Sequence, residues 1–218
     1  MLYEIFRVFG VIMGYPLQFL FFKRKTYYEN KEKTNLKTGG KLIVANHYNM
    51  FDYVMGCFIV FPRKLWAVAS EMPYKSKITR FGMKFFGAIQ ANRETRSMSF
   101  INESAEVLKK GHLVQIFPEG RNTPDGNLQP FHRSYVLIAH RANVPIVPII
   151  SDGNYGLFKR VSVIIGEEIH VSDFIPADKK TPNKAEVEAV NAYVYQKVVE
   201  LRQRLEDEKN KKRKEEKK

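Results

Sequence analysis

The stretch Lys41-Leu42-Ile43-Val44-Ala45-Asn46-His47-Tyr48-Asn49-Met50-Phe51-Asp52 decides how the rest of the chain reads. Leu42 to Ala45 is an apolar, β-prone run that stops at Asn46 and His47. Val54, Met55, Phe58 and Ile59 then follow at helical spacing, so the segment reads as buried strand, polar turn and helix start. Within one regular helix, residues five apart stand about 140° apart around the axis. His47 and Asp52 therefore meet only if the histidine lies in the turn and the aspartate in the first helical turn. There Asp52 accepts a hydrogen bond from one imidazole nitrogen and leaves the other as a general base. Taken alone, the same residues also suit a simple helix cap.

Outward from this stretch, strands and helices alternate. Leu65 to Ala69, Gly87 to Ala91, Leu113 to Phe117, Val144 to Ile150 and Val161 to Ile169 read as strands. Helices are expected over Ser76 to Phe86, from a cap at Ser97 or Ser99 to Lys110, over Phe131 to Ala142, and from about Asn183 to Glu208. The pattern predicts an α/β fold with a central, mostly parallel or mixed sheet flanked by helices. Residues 26–40 read as a polar connector, and Lys209 to Lys218 as a charged, disordered tail.

Residues 1–22 are apolar and aromatic but broken by Glu4, Arg7, Gly10, Gly14 and Pro16, and Lys23-Arg24-Lys25 follow directly. The longest uncharged run, Val8 to Phe22, is shorter than the roughly 20 residues of a spanning helix. No basic stretch precedes the apolar part, so no signal peptide is expected. An N-terminal amphipathic membrane-binding helical segment on the cytoplasmic face, lying in one leaflet, is the expectation, with a helix packed on the protein's own core and a tilted single span as the alternatives.

The chain has 218 residues and a formal net charge of +13, concentrated between residues 36 and 140 and at both ends. Such a balance suits anionic lipid, a phosphorylated substrate or nucleic acid. No nucleic-acid reading motif is present, and no stretch interleaves cations with stacking aromatics. The single cysteine, Cys57, excludes an intrachain disulfide. His112, His132, His140 and His170 lack metal-ligand spacing, so no metal is expected.

Four stretches end strands with polar or proline-rich residues: Asn46-His47 with Asp52, Asn92-Arg93, Phe117-Pro118-Glu119-Gly120-Arg121, and Val144-Pro145-Ile146-Val147-Pro148. Ligands collect outside strand ends in open α/β sheets. In this order the four blocks, over about residues 40–150, resemble the motifs of the glycerolipid acyltransferases, above all the 1-acyl-glycerol-3-phosphate (lysophosphatidic acid) acyltransferases. The resemblance implies a glycerol-phosphate acyltransferase-like fold, with membrane-associating helices and connector over residues 1–35 and the acyltransferase domain over 36–208. It implies transfer of a fatty acyl group from acyl-CoA or acyl-carrier protein to the hydroxyl of lysophosphatidate, giving phosphatidate, without a resident cofactor. His47 and Asp52 would be catalytic, and Asn46, Arg93, Glu119, Gly120 and Arg121 would bind substrate. Glu119 would contact the glycerol hydroxyl or fix an arginine, Gly120 would let the backbone approach the ligand, and Pro145 and Pro148 would shape an acyl channel. The bilayer is the expected partner. The sequence departs from the family pattern at Arg121, one position early with Asn122 in its place, at Asn49, where a serine is frequent, and at Phe131-His132-Arg133-Ser134. These changes bear on the acceptor phosphate, so another lysophospholipid or lipid precursor stays open as acceptor. A nonenzymatic peripheral membrane protein is the alternative of another class.

Overall fold

A computed structural model describes residues 9–10, 12–16, 18–19, 22–70, 87–91 and 98–215. Seven strands form one sheet: β1 (Lys25–Tyr28), β2 (Lys41–Ala45), β3 (Leu65–Ser70), β4 (Ala88–Ala91), β5 (Leu113–Ile116), β6 (Ile146–Ser151) and β7 (Ser162–Ile165). The described helices are α1 (Phe51–Val60), α2 (Ser99–Lys109), α3 (Ser134–Ala142) and α4 (Lys184–Glu215), with a 3₁₀ turn at Val171–Asp173. The order across the sheet is β1-β7-β6-β2-β5-β3-β4. All pairs are parallel except β6 with β7. This is the mixed, helix-flanked α/β sheet expected from the alternating pattern.

Strands β2 and β5 occupy the centre because both faces of their apolar runs are covered. Leu42, Val44, Val114 and Ile116 lie in one core with α2, α3 and α4, while Ile43, Leu113 and Val147 lie in the other with α1. Helix α4 contributes Val190, Val194, Val198, Leu201 and Leu205 to the first core. Fully burying each such side chain stabilises the fold by about 1.5–3 kcal/mol. Its start is a reciprocal cap, in which Glu186 N donates to Asn183 Oδ1 (2.9 Å) and Asn183 N to Glu186 Oε2 (2.8 Å).

Several expectations need correcting. The connector contains β1, whose Lys25 to Tyr28 pair in register with Ser162 to Ile165. Its alternation is masked in sequence because this edge strand stays only half-buried. Helix α2 begins at Ser99, with Met98 at the cap position and no side-chain cap bond. Helix α3 starts three residues later than expected, because His132 N is held by Pro118 O (2.8 Å) in the preceding loop. Strand β7 is shorter than the run Val161 to Ile169. The charged tail is helical through Glu215, and Lys209 Nζ pairs with Asp152 at 3.1 Å. The expected helix over Ser76 to Phe86 falls outside the described residues.

In the N-terminal segment the described residues 9–10, 12–16 and 18–19 are helical. Tyr15 packs against Phe58 and Phe61, and Phe22 against Phe51 and Phe58, so the segment is seated on α1. Phe9, Ile12, Met13 and Phe19 are exposed. Among the described residues, no helix is long and apolar enough to cross a membrane.

Candidate active site

The C-terminal ends of the three central strands β6, β2 and β5 converge on the turn after β2. Asn46 follows that strand, and its amide bonds β6 in both directions: Nδ2 donates to Ser151 O and Oδ1 accepts from Ser151 N, each at 3.0 Å. Asn46 ties the ends of β2 and β6 together. His47 follows, with Nδ1 3.0 Å from Asp52 Oδ2 and its ring stacked on Phe117 at 3.9 Å between centroids. Asp52 stands in the first turn of α1, where a negative charge favours the helix dipole.

The Asp52 carboxylate is buried and heavily hydrogen-bonded. Oδ2 also accepts from Tyr48 N (2.6 Å) and Asn49 N (2.7 Å), so the turn wraps around it. Oδ1 accepts from Tyr155 Oη at 2.6 Å, with Ser151 Oγ at 3.4 Å. Burial beside the Asp52 charge pushes the Tyr155 phenol far above its ordinary range, so it remains a donor. Neither Tyr155 nor Ser151 was singled out from sequence. The only sequence signal is that Ser151 ends the Val-Pro-x-x-Pro strand.

Glu119 is bonded within the histidine loop. Its buried carboxylate accepts from His47 N (3.1 Å), Gln129 N (2.9 Å) and Thr123 Oγ1 (3.3 Å). Thr123 N in turn donates to His47 O (2.7 Å), and its Oγ1, whose one proton serves either Glu119 or this carbonyl, lies 3.1 Å from the same oxygen. The Phe-Pro-Glu-Gly loop therefore grips both backbone polar groups of the histidine. Gly120 is required by backbone geometry: its φ of +70° closes the turn in which Gly120 N donates to Phe117 O at 3.0 Å. Arg121 is exposed and donates to the Gln129 side chain, not to Glu119. Arg93 lies outside the described residues.

The Tyr48 ring lies against Gly153 and Gly126. A Cβ on Gly153 would come within 2.5 Å of the ring, and on Gly126 within 3.0 Å. Both glycines have φ near +65° to +73°, so two loops close over the histidine turn only because they carry no side chain there. Among the described residues, a cleft of about 1090 Å³ opens beside Phe117, Pro118 and Gly120. Its walls are largely apolar, with Val68, Ile101, Ile116 and Leu137, and it carries His132, Arg133 and Lys184. Pro145 and Pro148 lie within or next to β6 and do not line it. The arrangement is a buried carboxylate holding an imidazole on an aromatic platform that also forms a wall of an apolar cleft.

Comparison with known proteins gives the family and the fold. Residues 25–152 match the family model described as Acyltransferase. The chain is 30% identical over 179 residues to the 1-acyl-sn-glycerol-3-phosphate acyltransferase of Bacillus subtilis (strain 168), covering 79% of this chain and 87% of that protein. It is 32% identical over 114 residues to human 1-acyl-sn-glycerol-3-phosphate acyltransferase beta, covering 50% of this chain and 40% of that one. The fold is shared with the crystal structure of the 1-acyl-sn-glycerophosphate (LPA) acyltransferase PlsC from Thermotoga maritima, with a TM-score of 0.59 at 21% identity over 90% of this chain and 78% of that one. With the family model covering more than half of its length, and a histidine–aspartate pair standing where that match runs, the chain belongs to the acyltransferase family.

Proposed function

We propose that the protein is a 1-acyl-sn-glycerol-3-phosphate acyltransferase, moving a fatty acyl group from acyl-CoA or an acyl-carrier protein to the hydroxyl of lysophosphatidate to give phosphatidate. The observation that carries the reading is the 3.0 Å contact between His47 Nδ1 and Asp52 Oδ2, which leaves Nε2 for the acceptor. His47 Nε2 takes the hydroxyl proton as the hydroxyl oxygen bonds to the thioester carbonyl carbon. Asp52 holds the ring and stabilises the imidazolium. Collapse of the tetrahedral adduct breaks the carbon–sulfur bond, and the imidazolium returns its proton to the leaving thiolate. The acyl group passes directly between substrates, with no protein nucleophile and no resident cofactor.

The apolar cleft beside Phe117 has the volume and lining for an acyl chain. Arg121 and Arg93 are the proposed phosphate ligands, since guanidinium matches phosphate oxygens in a forked geometry. The exposed Phe9, Ile12, Met13 and Phe19 hold the protein at the cytoplasmic face of the bilayer, where the acceptor resides. The early position of Arg121 favours, as a second reading, an acyltransferase acting on another lysophospholipid.

The test is incubation of purified protein with labelled acyl-CoA and, in parallel, lysophosphatidate, lysophosphatidylcholine or monoacylglycerol, with products separated by chromatography. Phosphatidate from lysophosphatidate, lost in His47→Ala, is the expected result. Equal turnover of monoacylglycerol, which has no phosphate, overturns phosphate recognition. Transfer to none of the acceptors from acyl-CoA or acyl-carrier protein overturns the enzyme.

A further inference from the structure

Gln115 is the polar residue in the otherwise apolar strand β5, Leu113-Val114-Gln115-Ile116, and it is only 2% exposed. Alternation along the strand sends Val114 and Ile116 to the core under α2, α3 and α4, and Leu113 to the core under α1. Gln115 shares the Leu113 face, and its side chain ends beneath α1: a Cβ on Gly56 would stand 2.1 Å from Gln115 Oε1. Glycine at that position makes room for the amide. Among the described residues, Oε1 has no hydrogen-bond partner. Buried acceptors in native structures are nearly always satisfied, by protein or by ordered water.

Gly56 stands one helical turn after Asp52, so both face the same space between α1 and the sheet. That space is a cavity of about 20 Å³, walled by Gln115, Gly56, Met55, Ile149, Ser151 and Asp52. A single water needs roughly 10–15 Å³ and at least two polar partners. Ser151 supplies the second partner. Its Oγ is 3.4 Å from Asp52 Oδ1 and 3.2 Å from Tyr155 Oη, both longer than an ordinary O–H···O bond. The Tyr155 proton is already given to Asp52 at 2.6 Å. The Ser151 hydroxyl is therefore loosely held, with two acceptors within reach of its proton.

We propose that the cavity holds one buried water, donating to Gln115 Oε1 and to Ser151 Oγ, and that Gln115 is thereby a positioning residue for the histidine–aspartate pair. With a lone pair engaged by the water, the Ser151 hydroxyl turns its own proton to Asp52 Oδ1. The relay from Gln115 through water and Ser151 adds a donor to the carboxylate oxygen opposite the one that holds His47. Linked hydrogen bonds of this kind strengthen one another in a low-dielectric interior. The inference rests on the reading of His47 as a base held by Asp52. An apolar side chain at position 115 would fill the space under α1 without burying an amide, so packing alone gives no reason for glutamine there.

The test is titration of the His47 ring by proton NMR in the full chain, without substrate, beside a pH profile of kcat/KM. In Gln115→Leu the His47 pKa should rise by about half a unit, because a carboxylate with a weaker donor holds the imidazolium more tightly. On the acid limb of the profile kcat/KM should be about threefold lower, the same shift read as a rate. The other titratable groups near the pair are Tyr48 and Glu119 around His47, Tyr155 and Asp152 after β6, and Arg202 of α4 beside Tyr48; the substitution changes none of them. Melting temperature should be no lower than in the wild type, since an apolar side chain replaces a buried amide. Ser151→Ala should shift His47 in the same direction, and adding Gln115→Leu to it should shift nothing further, because the relay is already cut. A crystal structure of the wild type should place a water about 3 Å from Gln115 Oε1, and it decides the question even if Gln115→Leu fails to fold. A wild-type His47 pKa in folded Gln115→Leu overturns the proposal, whatever the melting temperature. So do additive shifts in the double variant, or a crystal structure in which Gln115 Oε1 bonds to protein alone. The titration and the crystal structure need no turnover, so they separate failure of this inference from failure of the acyltransferase reading.

Discussion

Tyr155 Oη donates a 2.6 Å hydrogen bond to Oδ1 of Asp52, the carboxylate oxygen opposite the one that holds His47. The same ring meets Phe22 edge-on at 5.7 Å. A residue of the N-terminal segment is therefore two contacts from the catalytic candidate Asp52. Tyr155→Phe keeps the ring packing but leaves Oδ1 with only the 3.4 Å contact to Ser151. The expected outcome is a kcat lower by about tenfold, from loss of one hydrogen bond to a charged group, with KM and melting temperature little changed. Steady-state kinetics at saturating substrates check it, and an unchanged kcat would remove Tyr155 from the site.

His47→Ala should reduce kcat by about 10²–10⁴-fold, the usual contribution of a positioned base. Asp52→Asn is a less clean change than the sequence suggests. The carboxylate accepts from Tyr48 N, Asn49 N and Tyr155 Oη, and an amide matches these donors poorly. It should lose activity and about 1–3 kcal/mol of stability together, read by turnover and by urea unfolding of the same preparation.

Glu119→Ala leaves the N–H groups of His47 and Gln129 without their acceptor. A loss of about 2–4 kcal/mol is expected, with activity falling because the histidine backbone is released. Arg121→Ala, at an exposed position, should change stability by no more than about 0.5 kcal/mol and raise the acceptor KM about tenfold or more. Comparing the two variants in urea melts and in acceptor titrations separates the loop clamp from the phosphate ligand.

Tyr135 and Tyr155 both have their phenols pushed well above the usual range by burial. A folded-state pKa raised above the unfolded value contributes stability that is complete below about pH 10 and lost as pH rises past it. The melting temperature should therefore fall steeply above about pH 10. Absorbance at the tyrosinate band should show these two phenols ionising only with unfolding. Their ionisation in a protein that still melts cooperatively would contradict the burial.

Phe9, Ile12, Met13 and Phe19 are exposed, whereas Phe22 is buried against α1. Serine at the four exposed positions should weaken vesicle binding and spare the melting temperature. Truncation through Phe22 should lower both, because it uncovers Phe58 and Tyr155. Sedimentation with vesicles and thermal melts of the two proteins distinguish surface contact from core packing.

Local signals were enough for the strand-turn-helix around His47, because an apolar run, two polar residues and a helical apolar period each act within a few residues. The order of the four blocks was likewise legible, and with it the class of chemistry. Contacts formed across the sheet were not. Strand β1 reads as a connector because Lys25-Thr26-Tyr27-Tyr28 has no apolar run, and only pairing with β7 makes it a strand. Residues Lys209 to Glu215 read as a disordered tail from their charge, yet they continue α4, with Lys209 anchored on Asp152. The family resemblance assigns Asn46 and Glu119 to the substrate and says nothing of their bonds within the protein. The fold turns them inward, to satisfy Ser151 and His47. Tyr155 stands 103 positions from Asp52 and carries no signal of its own. The sequence by itself determined most of the elements around His47 and the pairing of His47 with Asp52, since those rest on short-range periodicity and spacing, and the family through the resemblance of its four ordered motifs. Strand order, the grip on His47 and the second donor to Asp52 were decided by the tertiary structure, because each depends on which strand ends the sheet brings side by side.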